Sequence, residues 1–366
     1  MNILVINPIL YTCEGWNIPQ VKSIKDTMIY NMCRGFKALG HQVTLCAASE
    51  FMPPEIEDYE FDVKWCKSSC KSLLPPPIPF SIELWSYLTR NRNRFDLVIT
   101  SELFSFPSLF ASLLCPKKTL VWHELALHQH KFHQLPSKIW YHVVAKLFQN
   151  KPLVVGRSKY ARDFVRQYHH FTADECVEHG INVERFRVER EKDDSFVVIS
   201  QLIERKNIPS IIRKFKSLID REDYRNYKLY IIGRGPLEQD LKSMTEKLGC
   251  SENVVFTGFM PHECMAEYVG KAKAMLIDTK QDNNMVSIPE AIACGTPVVT
   301  NSIPTNSYLI DENGLGIVKD GWTDEDLIGI ILHSETYTRH CIGYRQKLSC
   351  EYAAKTLIDL YEKYMR

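Results

Sequence analysis

The 366-residue chain has no run of about 18 apolar residues, the length at which a helix crosses a bilayer. Its first segment, Met1-Asn-Ile-Leu-Val-Ile-Asn-Pro8, lacks a basic stretch and is only briefly apolar, so it reads as a first buried strand and not as a signal peptide. The net charge is only +1, which argues against a general nucleic-acid binder. The 12 cysteines follow no zinc-like spacing: Cys66 and Cys70 are close, and no second pair follows. Reduced thiols in a cytosolic protein are the expectation. No short-period repeat occurs. Low complexity is confined to Leu73-Leu-Pro-Pro-Pro-Ile-Pro79, read as rigid and extended.

The length suits two domains of about 180 residues. Hydrophobic content of 45% and charged content of 24% are ordinary for a globular protein. Residues 1–190 carry 23 Lys and Arg against 18 Asp and Glu, a balance of +5, and the remainder is −4. The first half therefore mildly favours an anionic partner. Short apolar runs alternate with amphipathic segments. Strands are expected at Ile3–Ile6, Gln42–Cys46, Asp96–Thr100, Thr119–Trp122 and Leu153–Val155. Helices fall between them at Ser23–Leu39, Ile82–Thr89, Pro107–Leu113 and Lys159–Tyr168. A second series follows, with strands at Phe196–Ser200, Lys228–Ile232, Val254–Thr257, Ala274–Ile277 and Pro297–Thr300. Its helices are expected near Pro209–Asp220, Leu237–Leu248 and His262–Val269. Charged, irregular residues Asn182 to Asp194 separate the two series, and Tyr337 to Met365 reads as one terminal helix. The alternation predicts parallel, doubly wound sheets. The expected domains are 1–182 and 183–345, followed by a terminal helix, 346–366.

The chemistry concentrates in Asp282-Asn-Asn-Met-Val-Ser-Ile-Pro-Glu290-Ala-Ile-Ala-Cys-Gly-Thr-Pro-Val-Val. Two carboxylates eight positions apart bracket a turn that opens a helix over Met285 to Cys294. Backbone N–H groups at such a tip attract phosphate, and the flanking acids suit sugar hydroxyls. Together these features outline a nucleotide-sugar pocket. The block resembles the carboxylate–seven–carboxylate signature of retaining, family-4-type glycosyltransferases (glycosyl transferases group 1). That resemblance implies two Rossmann-like α/β domains facing across a cleft, the GT-B fold, with the terminal helix crossing back to the first domain. It assigns Asp282 to the transferred sugar, where the family usually has Glu, and Glu290 to the ribose. Met285 stands where the family tends to have Gly. Met285, Val286 and Ser287 form the implied phosphate-facing tip.

Ser200-Gln-Leu-Ile-Glu-Arg205-Lys206-Asn207 resembles the family's Gly-Arg-Leu…Lys-Asn segment, which places Lys206 on the diphosphate. Arg205 is a second cation in place of the Arg that Gln201 replaces. Ile231-Ile-Gly233-Arg234-Gly235-Pro236 reads mainly as a tight turn. Phe256-Thr-Gly258-Phe259-Met260 matches the segment near the base. Cys13-Glu14-Gly15-Trp16 follows the first strand, and Gly15 permits close backbone approach to donor phosphates. His123, in Val121-Trp-His-Glu124, matches a histidine near the transferred sugar. Glu178-His179-Gly-Ile-Asn182…Phe186 resembles the segment before the hinge and reads as a boundary more than as chemistry. His128, His130 and His133 fit no strong ligand pattern, so no metal and no cofactor is expected.

The implied reaction is transfer of a sugar from a nucleotide-diphosphate sugar to a saccharide or polyprenyl-linked saccharide in bacterial surface polysaccharide assembly, and no general base is assigned. A sugar-nucleotide epimerase and a non-catalytic donor-binding subunit are the alternatives. Lys64, Lys67, Lys71, Arg90, Arg92 and Arg94 lie in a stretch with one acid, Glu83, and Pro136–Phe148 is apolar with basic edges. Both stretches suit an anionic membrane surface. The expected location is cytoplasmic, peripheral to the inner face of the plasma membrane.

Overall fold

The computed structural model describes all residues except 12–17, 19–20, 56, 75–78, 126–134, 145, 147–150, 261 and 366; the side chains of 135–137, 141, 262 and 263 are likewise left out. It divides the chain into two compact units, Met1–Ile181 with Ser349–Arg366, and Asn182–Leu348.

In the first unit the order is β1 (Asn2–Ile6), α1 (Met28–Ala38), β2 (Gln42–Ala48), β3 (Asp62–Cys66), α2 (Ile82–Asn91), β4 (Leu97–Ser101), α3 (Phe106–Leu114), β5 (Thr119–His123), α4 (Leu135–His142), β6 (Leu153–Gly156), α5 (Lys159–Arg166) and β7 (Thr172–Cys176). The strands form a seven-stranded parallel sheet in the order β3-β2-β1-β4-β5-β6-β7. Its central strands are near-continuous apolar runs because helices cover both faces. Helix starts are set by hydroxyls. Thr27, Ser81, Ser105 and Ser158 each accept a hydrogen bond from the N–H three residues on. Each such cap is worth about 1 kcal/mol. Thr27 explains why α1 begins at Met28 and not at Ser23.

The second unit runs β8 (Ser195–Ile199), α6 (Ile208–Ile219), β9 (Lys228–Ile232), α7 (Glu238–Lys247), β10 (Val254–Gly258), α8 (His262–Lys271), β11 (Ala274–Leu276), α9 (Ser287–Ala293), β12 (Val298–Thr300), α10 (Tyr308–Asn313), β13 (Gly316–Val318), α11 (Asp324–Leu332) and α12 (Ser334–Tyr344). Its six-stranded parallel sheet has the order β10-β9-β8-β11-β12-β13. The strand order reverses between β8 and β11, and between β1 and β4 in the first unit. The carboxyl ends of strands at such points are where open α/β sheets bind ligands.

The terminal segment differs from the single helix expected. A 3-10 turn at Arg345–Leu348 separates α12 from α13 (Cys350–Met365), and α13 belongs to the first unit. Arg345 holds that turn by donating to the carbonyls of Ala293, Val183 and Phe186. Helix α13 packs on α1 at Gly35, where an added Cβ would lie 2.4 Å from the carbonyl oxygen of Cys350. Strands β3, β7 and β13 were not expected. β3 and β7 are partly exposed edges with charged residues, and β13 is three residues long. Apolar periodicity is therefore weak in all three.

Candidate functional site

In the second unit, the loop after β8 and the loop after β11 meet at the reversal point. Lys206 Nζ closes an ion pair with the Asp282 carboxylate, and Arg205 Nη1 lies 3.3 Å from its other oxygen. The Lys206 and Asp282 side chains are only 11% and 13% exposed. The two loops are also tied through backbone. The Arg205 carbonyl accepts from Lys280 N–H (2.7 Å) and Thr279 Oγ1 (2.9 Å), and Arg205 Nη1 donates to the Gln281 carbonyl (3.1 Å). Arg205 thus turns toward the Asp282 loop, a direction that sequence alone left open. Behind this loop, Asp278 accepts from Lys214 at 2.7 Å, and Lys214 lies 4.1 Å from the centre of the Trp322 ring. Asn301 donates to the Thr279 carbonyl at 2.6 Å. This anchoring holds the end of β11 in place.

Beyond Asp282, the Met285 side chain is buried, and its N–H donates to Asn306 Oδ1 at 3.1 Å while its carbonyl accepts from Asn306 Nδ2. Val286 and Ser287 lead into α9, which has seven residues. Glu290, on the first turn, is 8% exposed, and burial pushes its carboxyl up to about 7. The Gly233–Gly235 turn lies against the loop that carries Lys206. A Cβ at Gly233 (φ +141°) would sit 1.9 Å from the Ser200 carbonyl oxygen, and one at Gly235 would sit 2.3 Å from that of Leu202. This turn is structural, as expected. Gly258 (φ +72°) ends the edge strand β10, and Phe259 beside it is exposed.

In the first unit, a buried polar cluster occupies the ends of β4, β5 and β6. His123 is fully buried, with Nδ1 2.9 Å from Glu102 Oε2. Phe104 meets its ring edge-on and Phe164 stacks against it. Glu102 also accepts from the N–H groups of Glu124 (3.1 Å) and Leu125 (3.2 Å). Burial opposes its ionisation, yet His123 and Arg157 outweigh this and hold its carboxyl below the ordinary value. Arg157, 3% exposed, donates to Glu124 and to Ser101 Oγ at 3.0 Å each and lies over the Trp122 ring. His179 pairs with Glu124 at 3.4 Å and packs edge-on against Trp122. His179 therefore belongs to this cluster, which the boundary reading did not foresee. Burial also opposes ionisation of Glu124, but His179 and Arg157 hold its carboxyl down at about 2.

The family model for glycosyltransferase family 4 matches residues 26–185, and the model for glycosyl transferases group 1 matches residues 181–337. The chain belongs to the family-4-type glycosyltransferases. A pneumococcal alpha-monoglucosyldiacylglycerol synthase is 24% identical over 54% of this chain and 48% of its own length. An amylovoran biosynthesis glycosyltransferase of Erwinia amylovora is 25% identical over 52% of this chain and 51% of its own. A GDP-mannose-dependent phosphatidylinositol monomannoside mannosyltransferase of Mycolicibacterium smegmatis is 30% identical over 36% of each. The matches thus span about half, or less, of these curated relatives. Among solved structures, the lipopolysaccharide galactosyltransferase WaaB superposes with a TM-score of 0.67 at 13% identity, covering 99% of this chain and 100% of that one. Anabaena HepE, in complex with UDP and glucose, gives 0.65 at 14% identity, with the same coverage. These superpositions establish the GT-B fold class.

Of the residues that the family resemblance singled out, Arg205, Lys206 and Asp282 come together, and Met285, Val286, Ser287 and Glu290 follow on the adjoining turn and helix. His123 belongs to the first unit. Gly15, with Cys13, Glu14 and Trp16, lies outside the described residues, as do His128, His130 and His133. Among the described residues, no group of three His, Cys, Asp or Glu is placed to hold a metal. The basic stretch of the first unit is more balanced than its sequence implied. Lys64 pairs with Glu83, and Lys71 pairs with Glu50, a second acid from outside the stretch. Asn306, Glu102 and Arg157 were missed. None belongs to a recognisable motif, and each acquires its partner only through the fold.

Proposed function

We propose that this chain is a retaining glycosyltransferase that moves a sugar from a nucleotide-diphosphate sugar to a saccharide or lipid-linked saccharide. The observation that carries the reading is the Lys206–Asp282 pair at the strand-order reversal, one short turn before the buried Glu290. Departure of the nucleoside diphosphate leaves about two negative charges to be stabilised, and preorganised cations do this most effectively. Lys206 and Arg205 are the chain's own cations at that place, and this favours a metal-independent reaction without a cofactor. Once the diphosphate takes the two cations, Asp282 is released to the sugar hydroxyls. Glu290 then holds the ribose. Retention follows if the leaving phosphate itself accepts the acceptor's proton. No side chain is assigned as general base.

Two of the relatives, a glycolipid synthase and a phosphatidylinositol monomannoside mannosyltransferase, support a lipid-linked acceptor. Helix α4 and the residues after it expose Ile139 and Val143, one turn apart, flanked by Lys138 and Lys146. Such a face suits an anionic membrane surface. Among the described residues no helix is long and apolar enough to cross a membrane. A cytoplasmic enzyme acting at the membrane's inner face in surface polysaccharide assembly fits these features.

The test is a product assay with purified chain, a panel of nucleotide sugars and polyprenyl-linked or free saccharide acceptors. The expected products are free nucleoside diphosphate and a glycosylated acceptor of unchanged anomeric configuration. An isomerised donor would replace the reading with an epimerase, and donor binding without turnover would replace it with a non-catalytic subunit.

A further inference from the structure

Helix α9 carries Glu290 on its first turn, yet no side chain of its own fixes where it starts. Val286 precedes its first residue with helical dihedrals (φ −63°, ψ −31°) and has no side-chain oxygen that could accept from the next turn. Helices α1, α2, α3 and α5 each begin on a Thr or Ser that does this. A seven-residue helix with an uncapped start frays readily, because nucleation is costly and few bonds follow it.

The missing cap comes from another loop. Asn306 lies between β12 and α10 and is 2% exposed. Its amide pairs with both sides of Met285: Oδ1 accepts from the Met285 N–H, and Nδ2 donates to the Met285 carbonyl, at 3.1 Å each. That carbonyl also accepts from the Ile288 N–H at 3.2 Å, the bond that closes the start of α9. Thr305 adds two ties to the same segment. Its N–H donates to the Asn283 carbonyl at 3.3 Å, and its hydroxyl donates to Asn284 Oδ1 at 2.6 Å. The loop is itself tethered, since the Ser302 N–H and hydroxyl both donate to Asp320 at 2.9 Å. Because β12 runs parallel to β11, this loop and the segment from Asp282 leave neighbouring strands in the same direction. Lys206 and Arg205 hold the Asp282 end of the segment, and Asn306 holds the end that enters α9.

We infer that Asn306 is a positioning residue for the nucleotide: it caps α9 from the neighbouring loop and so sets the turn that presents Glu290. This deepens the proposed function and rests on it for the identity of the ligand. Met285 supplies an anchor point, since its N–H is already given to Asn306. Asn306 acts through Glu290 and not by touching the ligand. Its loss therefore weakens nucleotide binding only while Glu290 is there to be positioned.

The deciding experiment is a double-mutant cycle on the full chain, read by calorimetry with UDP, GDP, ADP and dTDP as probes. Asn306→Ala is expected to raise the Kd of the nucleotide that binds the parent by about tenfold or more, and to change it by less than about twofold in the Glu290→Ala background. Equal losses in the two backgrounds would overturn the inference, because a separate contact or a generally loosened fold weakens both alike. A lower binding stoichiometry with unchanged Kd would also overturn it, since that is the mark of a purely structural role. Amide hydrogen exchange of the unaltered chain is a second measurement that needs neither variant nor ligand. Slow exchange at Met285 and Ile288 is expected, and rapid exchange at Met285 would refute the cap. Absence of binding by every probe to the parent would refute the nucleotide site and this role together, whereas equal losses beside intact parental binding would refute this role alone.

Discussion

Lys206 and Asp282 close an ion pair across the point where the strand order of the second sheet reverses. In this state Asp282 occupies the cations that the proposed diphosphate requires. Asp282→Asn removes that competing charge. We expect nucleoside diphosphate to bind about five- to tenfold tighter by calorimetry, about 1 kcal/mol, while transfer falls about a hundredfold because the sugar loses its carboxylate. Weaker diphosphate binding in this variant would contradict the competition.

Glu290 makes a prediction about pH. Burial raises its carboxyl to about 7, so from about pH 4.5 to 7 the folded chain keeps a proton that the unfolded chain has lost. Stability from this group therefore falls as pH rises through that window, by at most about 3 kcal/mol. Glu290→Gln should unfold at a higher temperature than the parent at pH 8 and near the same temperature at pH 4.5. The same variant should lose donor affinity. A variant less stable than the parent at pH 8 would show that the ionised group is not costly there.

Glu124 has the opposite sign. Its carboxyl is held down at about 2, so its contribution is fully present above about pH 4.5 and is lost as pH falls toward 2. Replacing Arg157 with Met leaves the part-exposed Glu124 carboxylate with His179 as its remaining charged partner, at a cost of about 1–3 kcal/mol near neutral pH. Urea unfolding at pH 7 and at pH 3 checks this, and the gap between parent and variant should narrow at pH 3.

The Gly233–Gly235 turn supports the Lys206 loop through close backbone contact. Gly233→Ala drives a Cβ into the Ser200 carbonyl at a positive φ. The expected loss is about 2 kcal/mol or more in chemical denaturation, together with weaker nucleotide binding. An alanine tolerated without loss would mean that the loop is not held there.

The second sheet was more legible in the sequence than the first site. Strand Lys228–Ile232 was read to its limits, because a βα unit with an apolar strand and a Gly-x-Gly exit carries local signals of both period and turn. The pairing of Arg205 and Lys206 with Asp282 was not legible, since the partners lie 76 residues or more apart and meet only when β8 and β11 align. Glu102, just past β4, and His123, the last residue of β5, likewise meet only when those two strands pair. The terminal helix was read as continuous because Arg345, whose three carbonyl contacts make the break, is an ordinary helix former in isolation. The edge strands β3 and β7 escaped because period-2 patterning fades where only one neighbour and part of one face are covered.

The most direct test of the central claim is a thermal-shift screen of nucleotide sugars against the parent chain, Lys206→Ala and Glu290→Ala. One nucleotide sugar, at about 100 times its dissociation constant, should stabilise the parent by about 2.7 kcal/mol, and both variants should lose that gain while remaining folded. Stabilisation that survives in both variants, or none from any nucleotide sugar, would contradict the account.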